Sequence, residues 1–388
     1  MHRTRGKGVE GVHIDGIVES FRKMGHRVSV FSPGDRLANA RGMQSCSREP
    51  VGPLLFLFDL LSRSAPEAFF EIAEMVHSSV SLRRLRRGYG RNSFDVIFER
   101  YAIFGTVGMH LSQLWGIPLL LEVNYTSLSD LVRPRSRLFK GRARSTDHRL
   151  FHAAECLFPV STYLRDHLVS EFCVPEGKIM VLPNAADPNV FHPGILPAGS
   201  ASGRAMAWKT VGFVGGFYPW HGLALLLDAF VSLSMEIGNL RLVLVGDGPE
   251  RSNVERRIAA EGLSDRVVFP GRIPHEDLAP WISMFDIGVM PNSNEYGSPM
   301  KIFEYMAMGK PVVAADYGPL RDGIDHGVEG FLFPPGNATV LREYLKTLLT
   351  DDALCAKMSA AAQARVLDRH TWMGNSQRML KFLSKGRD

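Results

Sequence analysis

From Thr210 to Phe333 short apolar runs alternate with helical stretches, and that alternation constrains the fold more than any other feature of the chain. Strands are expected at Thr210–Val214, Leu240–Val245, Arg266–Phe269, Asp286–Met290, Pro311–Ala314 and Gly330–Phe333. Helices are expected over Leu223–Met235, Pro249–Glu261, Glu276–Met284, Pro299–Met308 and Ala338–Leu349. Strands that alternate with helices build a parallel, doubly wound sheet. The N-terminal half repeats the pattern less regularly. A helix ends near Met24, and strand signals follow at Arg27–Phe31, Asp95–Glu99, Pro118–Val123, Cys156–Val160 and Lys178–Leu182. Between Pro183 and Trp208, Pro, Gly, Ala and Ser accumulate, which reads as a linker. A chain of 388 residues favours two domains. Two doubly wound units would bind ligand at the carboxyl ends of their strands, in the cleft between them.

Composition agrees with an ordinary globular chain, with 45% apolar and 22% charged residues. The net charge of +5 is unevenly placed. Arg83, Arg84, Arg86, Arg87 and Arg91 form one basic cluster; Arg133, Arg135, Arg137, Lys140, Arg142, Arg144 and Arg149 form another. Each reads either as a solvated face or as a surface drawn to an anionic membrane or a phosphate-bearing lipid acceptor. Neither is interleaved with aromatics, which argues against nucleic acid. The four cysteines, Cys46, Cys156, Cys173 and Cys355, contain no Cys-x-x-Cys pair and suit a reducing compartment. Pro53 to Leu61 is apolar but too short to span a bilayer, and MHRTRGKG has no apolar run behind it. A cytoplasmic location is the expectation.

Chemistry concentrates between Met290 and Asp316, MPNSNEYGSPMKIFEYMAMGKPVVAAD. Gly297-Ser298-Pro299 ends a turn, and proline is tolerated in a first helical turn, where its missing N–H leaves nothing unsatisfied. The free N–H groups of that helix would then face the turn as an anion site. Lys301 would stand in the first turn and Glu304 about one turn on. A lysine there opposes the helix dipole, so its use lies elsewhere than in helix stability. Phosphate on the N–H groups and Lys301, with a sugar hydroxyl on Glu304, answers the pattern, and Ser298 and Pro299 of the turn belong to the same candidate nucleotide-sugar site.

This segment resembles the nucleotide-sugar site of glycosyltransferase family 4, retaining enzymes with the GT-B fold. Glu304 matches the second Glu of the family's Glu-x7-Glu motif, and Ala307-Met308-Gly309-Lys310-Pro311-Val312-Val313 matches its tail. The first Glu is absent: strict spacing puts Tyr296 there, with Glu295 one residue early. Ser298-Pro299-Met300-Lys301 looks like the Ser-Pro-x-Lys variant of the turn. Further likenesses run along the chain. Gly215 and Gly216, with His221, fall in the turn where many relatives place an Arg and a Lys on the donor diphosphate; here those positions are Gly216 and His221. By the same resemblance the turns at Gly246 and at Gly271-Arg272-Ile273-Pro274 flank the donor and its base. Asn124 replaces a histidine that faces the reacting sugar, with Glu122 nearby, which suggests positioning of hydroxyls rather than proton transfer. Glu99-Arg100-Tyr101 ends an adjacent strand, on the acceptor side. Pro183-Asn184-Ala185-Ala186-Asp187 and His370-Thr371-Trp372 match structural signatures.

The resemblance implies a GT-B fold: an N-terminal Rossmann-like domain over 1–195, a nucleotide-sugar domain over 196–368, and a helix over 369–388 returning to the first. Gly8 and Glu10 resemble the glycine-rich turn after strand one, so the sequence is expected to start late, without that strand. The implied activity is retaining transfer of a sugar from a nucleotide diphosphate sugar to a saccharide or lipid-linked acceptor, as in bacterial surface polysaccharide or glycolipid assembly. Asn124, Glu122 and Lys301 are the catalytic candidates, and no cofactor or metal is implied. Two readings from other classes remain, a GT-B-fold sugar-nucleotide epimerase and a non-catalytic nucleotide-sugar-binding subunit.

Overall fold

The computed structural model describes residues 9–31, 67–129, 138–198 and 208–385, with the side chains of 9, 10 and 67–70 left outside the description. Contacts divide the chain into two compact units. One holds the described residues of Ser29–Pro159 and Leu164–Met180; the other holds those of Arg5–Val28, Val160–Tyr163 and Val181–Asp388. These limits differ from the expected boundary at 195. Helix α1 (Val9–Lys23) belongs with the C-terminal unit.

In the N-terminal unit three parallel strands lie side by side in the order β1 (Ile97–Arg100), β2 (Leu119–Val123), β3 (Cys156–Pro159). Every residue of β2 is buried, as a strand covered on both faces requires. Around it stand α2 (Glu67–Gly88), α3 (Val107–Trp115) and α4 (Lys140–Ala153). Helix α5 (Thr162–Phe172) follows β3. The core gathers Leu119, Leu121, Val123, Phe151, Leu157 and Phe172.

The C-terminal unit is more regular. Six parallel strands run in the order β6-β5-β4-β7-β8-β9. They are β4 (Lys209–Val214), β5 (Leu240–Val245), β6 (Val267–Gly271), β7 (Ile287–Met290), β8 (Val312–Ala315) and β9 (Gly330–Phe333). The crossovers are α6 (Leu223–Ser234), α7 (Arg251–Ala260), α8 (Ala279–Ser283), α9 (Met300–Ala307) and α10 (Gly318–Arg321), followed by α11 (Ala338–Thr350), α12 (Asp352–Arg369) and α13 (Trp372–Lys385). Two apolar clusters, one around Phe213, Leu227 and Leu242, the other around Phe285, Ile302 and Phe303, fill the unit. Within this unit Gly16 of α1 lies flat against Trp372 at the start of α13; a Cβ there would stand 2.7 Å from the ring.

All six strands expected in this half are present, with ends moved by a residue or two. Other expectations change. Arg27–Phe31 carries a strand-like sequence but forms no ladder among the described residues, with Val30 and Phe31 exposed, since β-propensity needs a neighbouring strand to act on. Lys178–Leu182 contributes a single bridge, Ile179 to Leu157. The helix expected over Glu276–Met284 divides into a 3₁₀ turn, His275–Asp277, and α8, with Pro280 in its first turn. Pro183–Ile195 is packed rather than loose: Phe191 and Ala186 are 1% exposed, and Ala186 bridges to Thr371. Pro53–Leu61, Gly8 and Arg133, Arg135 and Arg137 lie outside the described residues. Among those described, no helix is long and apolar enough to cross a membrane.

Candidate functional site

In the order β6-β5-β4-β7-β8-β9 the connections reverse direction between β4 and β7, and a crevice opens beyond the carboxyl ends of strands at such a switch point. Residues Gly215, Gly216 and His221 follow β4, and the turn to α9 follows β7. Backbone bonds knit the turns together: Gly215 N–H donates to Val245 O and Gly246 N–H to Gly271 O, each at 2.9 Å. Only glycine fits this packing. Gly246 sits at φ +142°, and a Cβ on it would stand 1.9 Å from the Gly215 carbonyl oxygen. A Cβ on Gly215, at φ +156°, would approach Lys301 Nζ to 2.5 Å.

The Lys301 ammonium therefore lies against a bare stretch of main chain. It also sits 4.6 Å from the centre of the Phe213 ring, a cation–π arrangement. Burial pulls its pKa down to about 8, with Glu304 acting the other way. Among the described residues Lys301 has no ion pair. An anion entering here meets a charge that no carboxylate already neutralises.

His221 is less suited to meeting an anion. Its Nδ1 bonds to the Gly216 carbonyl oxygen, which only accepts, so Nδ1 carries the proton. Burial first, and the Lys301 charge second, push its pKa down to about 4. At neutral pH the ring is uncharged, and its other nitrogen is an acceptor. The structure thus gives His221 a turn-stabilising bond rather than a cationic head.

Helix α9 begins after Pro299, one residue later than expected, and among the described residues no side chain caps its first N–H groups. Ser298 is 6% exposed and tied to the segment before the second sheet: its Oγ accepts from Asn184 N–H at 3.0 Å, and its carbonyl accepts from Asn184 Nδ2 at 2.5 Å. Asn294 Oδ1 accepts from the N–H groups of Tyr296 and Gly297, fixing the preceding turn. Glu304, 3% exposed, accepts a 2.7 Å hydrogen bond from His275 Nε2. His275 escaped the sequence reading because it lies 29 residues away, in the turn after β6, with no local pattern to tie it to Glu304. Arg272, three residues earlier, is exposed. Gly8 lies outside the described residues, and Glu10 falls in the first turn of α1 with its side chain outside them as well.

A second polar set occupies the carboxyl end of β2 in the N-terminal unit. Glu122 is buried; Asn124 Nδ2 donates to its Oε1 at 2.5 Å, and Arg100 Nε stands 3.3 Å from the same oxygen. Beside it Tyr101 donates its hydroxyl to Asp147, which also accepts from Ser127 N–H, both at 2.8 Å. Glu99 caps α3 through Gly108 N–H at 3.1 Å, and burial pushes its carboxyl up to about 7.

This architecture is GT-B-like, and comparison with known proteins agrees. Residues 8–190 match the family described as Glycosyltransferase Family 4, and residues 208–351 match Glycosyl transferases group 1. Among curated relatives, a D-inositol 3-phosphate glycosyltransferase of Arthrobacter sp. (strain FB24) is 28% identical over 75% of this chain and 71% of its own. An uncharacterized glycosyltransferase of Methanocaldococcus jannaschii is 25% identical over 93% of this chain and 90% of its own. Of solved structures, a glycosyltransferase from Rickettsia africae superposes with a TM-score of 0.70 at 16% identity, covering 98% of this chain and 96% of that one. The Anabaena protein HepE, solved with UDP, gives 0.65 at 22% identity over 80% and 82%. The chain is a transferase of the glycosyltransferase class.

Proposed function

We propose that this enzyme transfers a hexosyl group, with retention, from a nucleoside diphosphate sugar to a hydroxyl of a saccharide or lipid-linked acceptor. The observation that carries the reading is the unpaired Lys301 ammonium, held against the Gly215 backbone beside the uncapped start of α9. As the glycosidic bond breaks, charge develops on the departing diphosphate, and fixed donors at that place lower the barrier. Lys301 and the α9 N–H groups would meet the phosphates, Glu304 the ribose hydroxyls, and Gly246 and Arg272 would line the donor. Ser298 would act by holding the turn, and Gly8 and Glu10 would close the donor pocket. Among the described residues no group of three or more His, Cys, Asp or Glu is placed to hold a metal ion. Asn124 and Glu122 would order sugar hydroxyls: a carboxylate already engaged by Asn124 and Arg100 is a fixed acceptor rather than a free base.

HepE, named above, was solved with UDP, which favours a uridine nucleotide as the first probe. Assembly of a bacterial surface polysaccharide or glycolipid, at the cytoplasmic face of a membrane, fits the exposed arginines Arg83, Arg84, Arg86 and Arg87 of α2 and Arg142, Arg144 and Arg149 of α4. Incubation with a panel of nucleotide sugars and simple glycoside acceptors tests the reading. Transfer or slow donor hydrolysis is expected. An epimerised donor would point to the epimerase, and binding without turnover to a non-catalytic subunit.

A further inference from the structure

The His275–Glu304 hydrogen bond is more than a chance contact between two elements. His275 projects from the 3₁₀ turn after β6, and Glu304 from the second turn of α9. The imidazole is fixed from two sides: Nε2 donates to Glu304 Oε1 at 2.7 Å, and the ring stands edge-on to Phe191, 5.2 Å between centres. Phe191 is itself 1% exposed, so the ring has little freedom to turn. A carboxylate accepts up to about four hydrogen bonds. One donor on Oε1 leaves Oε2 and a second site on Oε1 open, side by side, the spacing that a vicinal diol fills.

We propose that His275 is a positioning residue for nucleotide recognition: it sets the plane of the Glu304 carboxylate so that both oxygens meet the 2′- and 3′-hydroxyls of the donor ribose. The inference rests on the proposed role of Glu304 at the ribose. It touches no reacting atom of the sugar, so its effect belongs in donor affinity and not in the chemical step. An amide nitrogen at the same place keeps the single donor, so His275→Gln retains function where His275→Ala does not.

The test uses the whole chain and titration calorimetry with whichever of UDP, GDP and ADP binds most tightly, beside its 2′,3′-dideoxy analogue. The wild type is expected to prefer the ribonucleotide by tenfold or more. His275→Ala is expected to bind the ribonucleotide about tenfold more weakly and the dideoxy analogue unchanged. His275→Gln should recover most of the loss. Turnover at saturating donor should stay within twofold in both variants. A preference that survives in His275→Ala, or ribonucleotide binding that tightens because the ring had competed for Glu304, overturns the proposal. Equal loss for both ligands would make His275 a structural residue only, and overturns it too. If the wild type does not distinguish the two ligands, or binds none of the three nucleotides, the ribose reading itself fails; Glu304→Ala then changes nothing, which separates that failure from one specific to His275.

Discussion

Two buried carboxylates, Glu122 near the carboxyl end of β2 and Glu304 in the second turn of α9, lie one in each unit, and their surroundings differ. Glu122 is closed in on itself, with Arg100 and Asn124 both directed at the same oxygen. In the C-terminal unit the charges are kept apart: Glu304 is held by a histidine, while Lys301 one turn earlier is left over an aromatic ring with no ion pair among the described residues. A neutralised set orders neutral hydroxyls; an uncompensated cation beside free helix N–H groups attracts an anion. That difference is the physical ground for the proposal that the phosphates bind in the C-terminal unit.

Lys301→Ala is the strongest way to break that comparison. Removing the cation should weaken nucleoside diphosphate binding by about a hundredfold, on the order of 2–3 kcal/mol for a charge-assisted bond, and leave the parent nucleoside nearly unchanged. Glu122→Gln should leave diphosphate affinity within twofold. Calorimetry on both variants with both ligands decides it. Equal losses in the two variants would show that the phosphate charge is not concentrated at Lys301.

Glu304→Ala comes next, with an expected loss of at least tenfold in donor affinity or turnover, from about 1.5–3 kcal/mol of charge-assisted hydrogen bonding. Circular dichroism should show the fold intact, because α9 also buries Ile302, Phe303, Tyr305 and Met306. Normal kinetics in this variant would remove Glu304 from the site.

A smaller and graded effect follows from the Lys301 pKa of about 8. A bound diphosphate favours the ammonium, so its pKa is higher in the complex than in the free enzyme. Binding then takes up protons. For a nucleotide sugar, whose diphosphate carries no group titrating near neutrality, affinity should be flat below pH 7, fall as pH rises through 8, and approach one decade per unit until the pKa of the complex is passed. Affinity that rises from pH 8 to 9 would contradict the sign. Loss of the slope in Lys301→Ala would assign it to that residue.

The C-terminal sheet and the α9 turn were legible because their information is local. Strand, turn and helix start follow one another from Met290 to Asp316, and apolar runs of four to six residues announced each strand. What the sequence hid was pairing across distance. Arg27–Phe31 has a strand's composition and no partner among the described residues, and nothing within five residues reveals that. Asn184 on Ser298 and His275 on Glu304 link segments 114 and 29 residues apart. The stretch after Pro183 read as a linker because its small residues resemble one; that Phe191 would anchor it depended on a pocket built from other elements.

The smallest effect concerns His221, where residue type and environment point in opposite directions. A histidine in place of a family lysine suggests a substitute cation, but burial and Lys301 hold this ring neutral, with its Nδ1 proton given to the Gly216 carbonyl. Protonating it beside Lys301 would put two cations together in a partly buried turn, which costs more than a single phosphate contact returns. His221→Ala should therefore weaken diphosphate binding by less than about threefold, through looser turn geometry, and His221→Asn should lose still less by keeping a donor to Gly216. The binding of a doubly charged phosphate would raise the ring's pKa. Proton uptake measured in buffers of different ionisation enthalpy settles whether it does. At pH 6 and with a nucleotide sugar as ligand, where Lys301 is already protonated and the diphosphate has no titrating group, uptake should be close to zero; uptake of nearly one proton that disappears in His221→Ala would show that the ring charges on binding and shares the phosphate with Lys301.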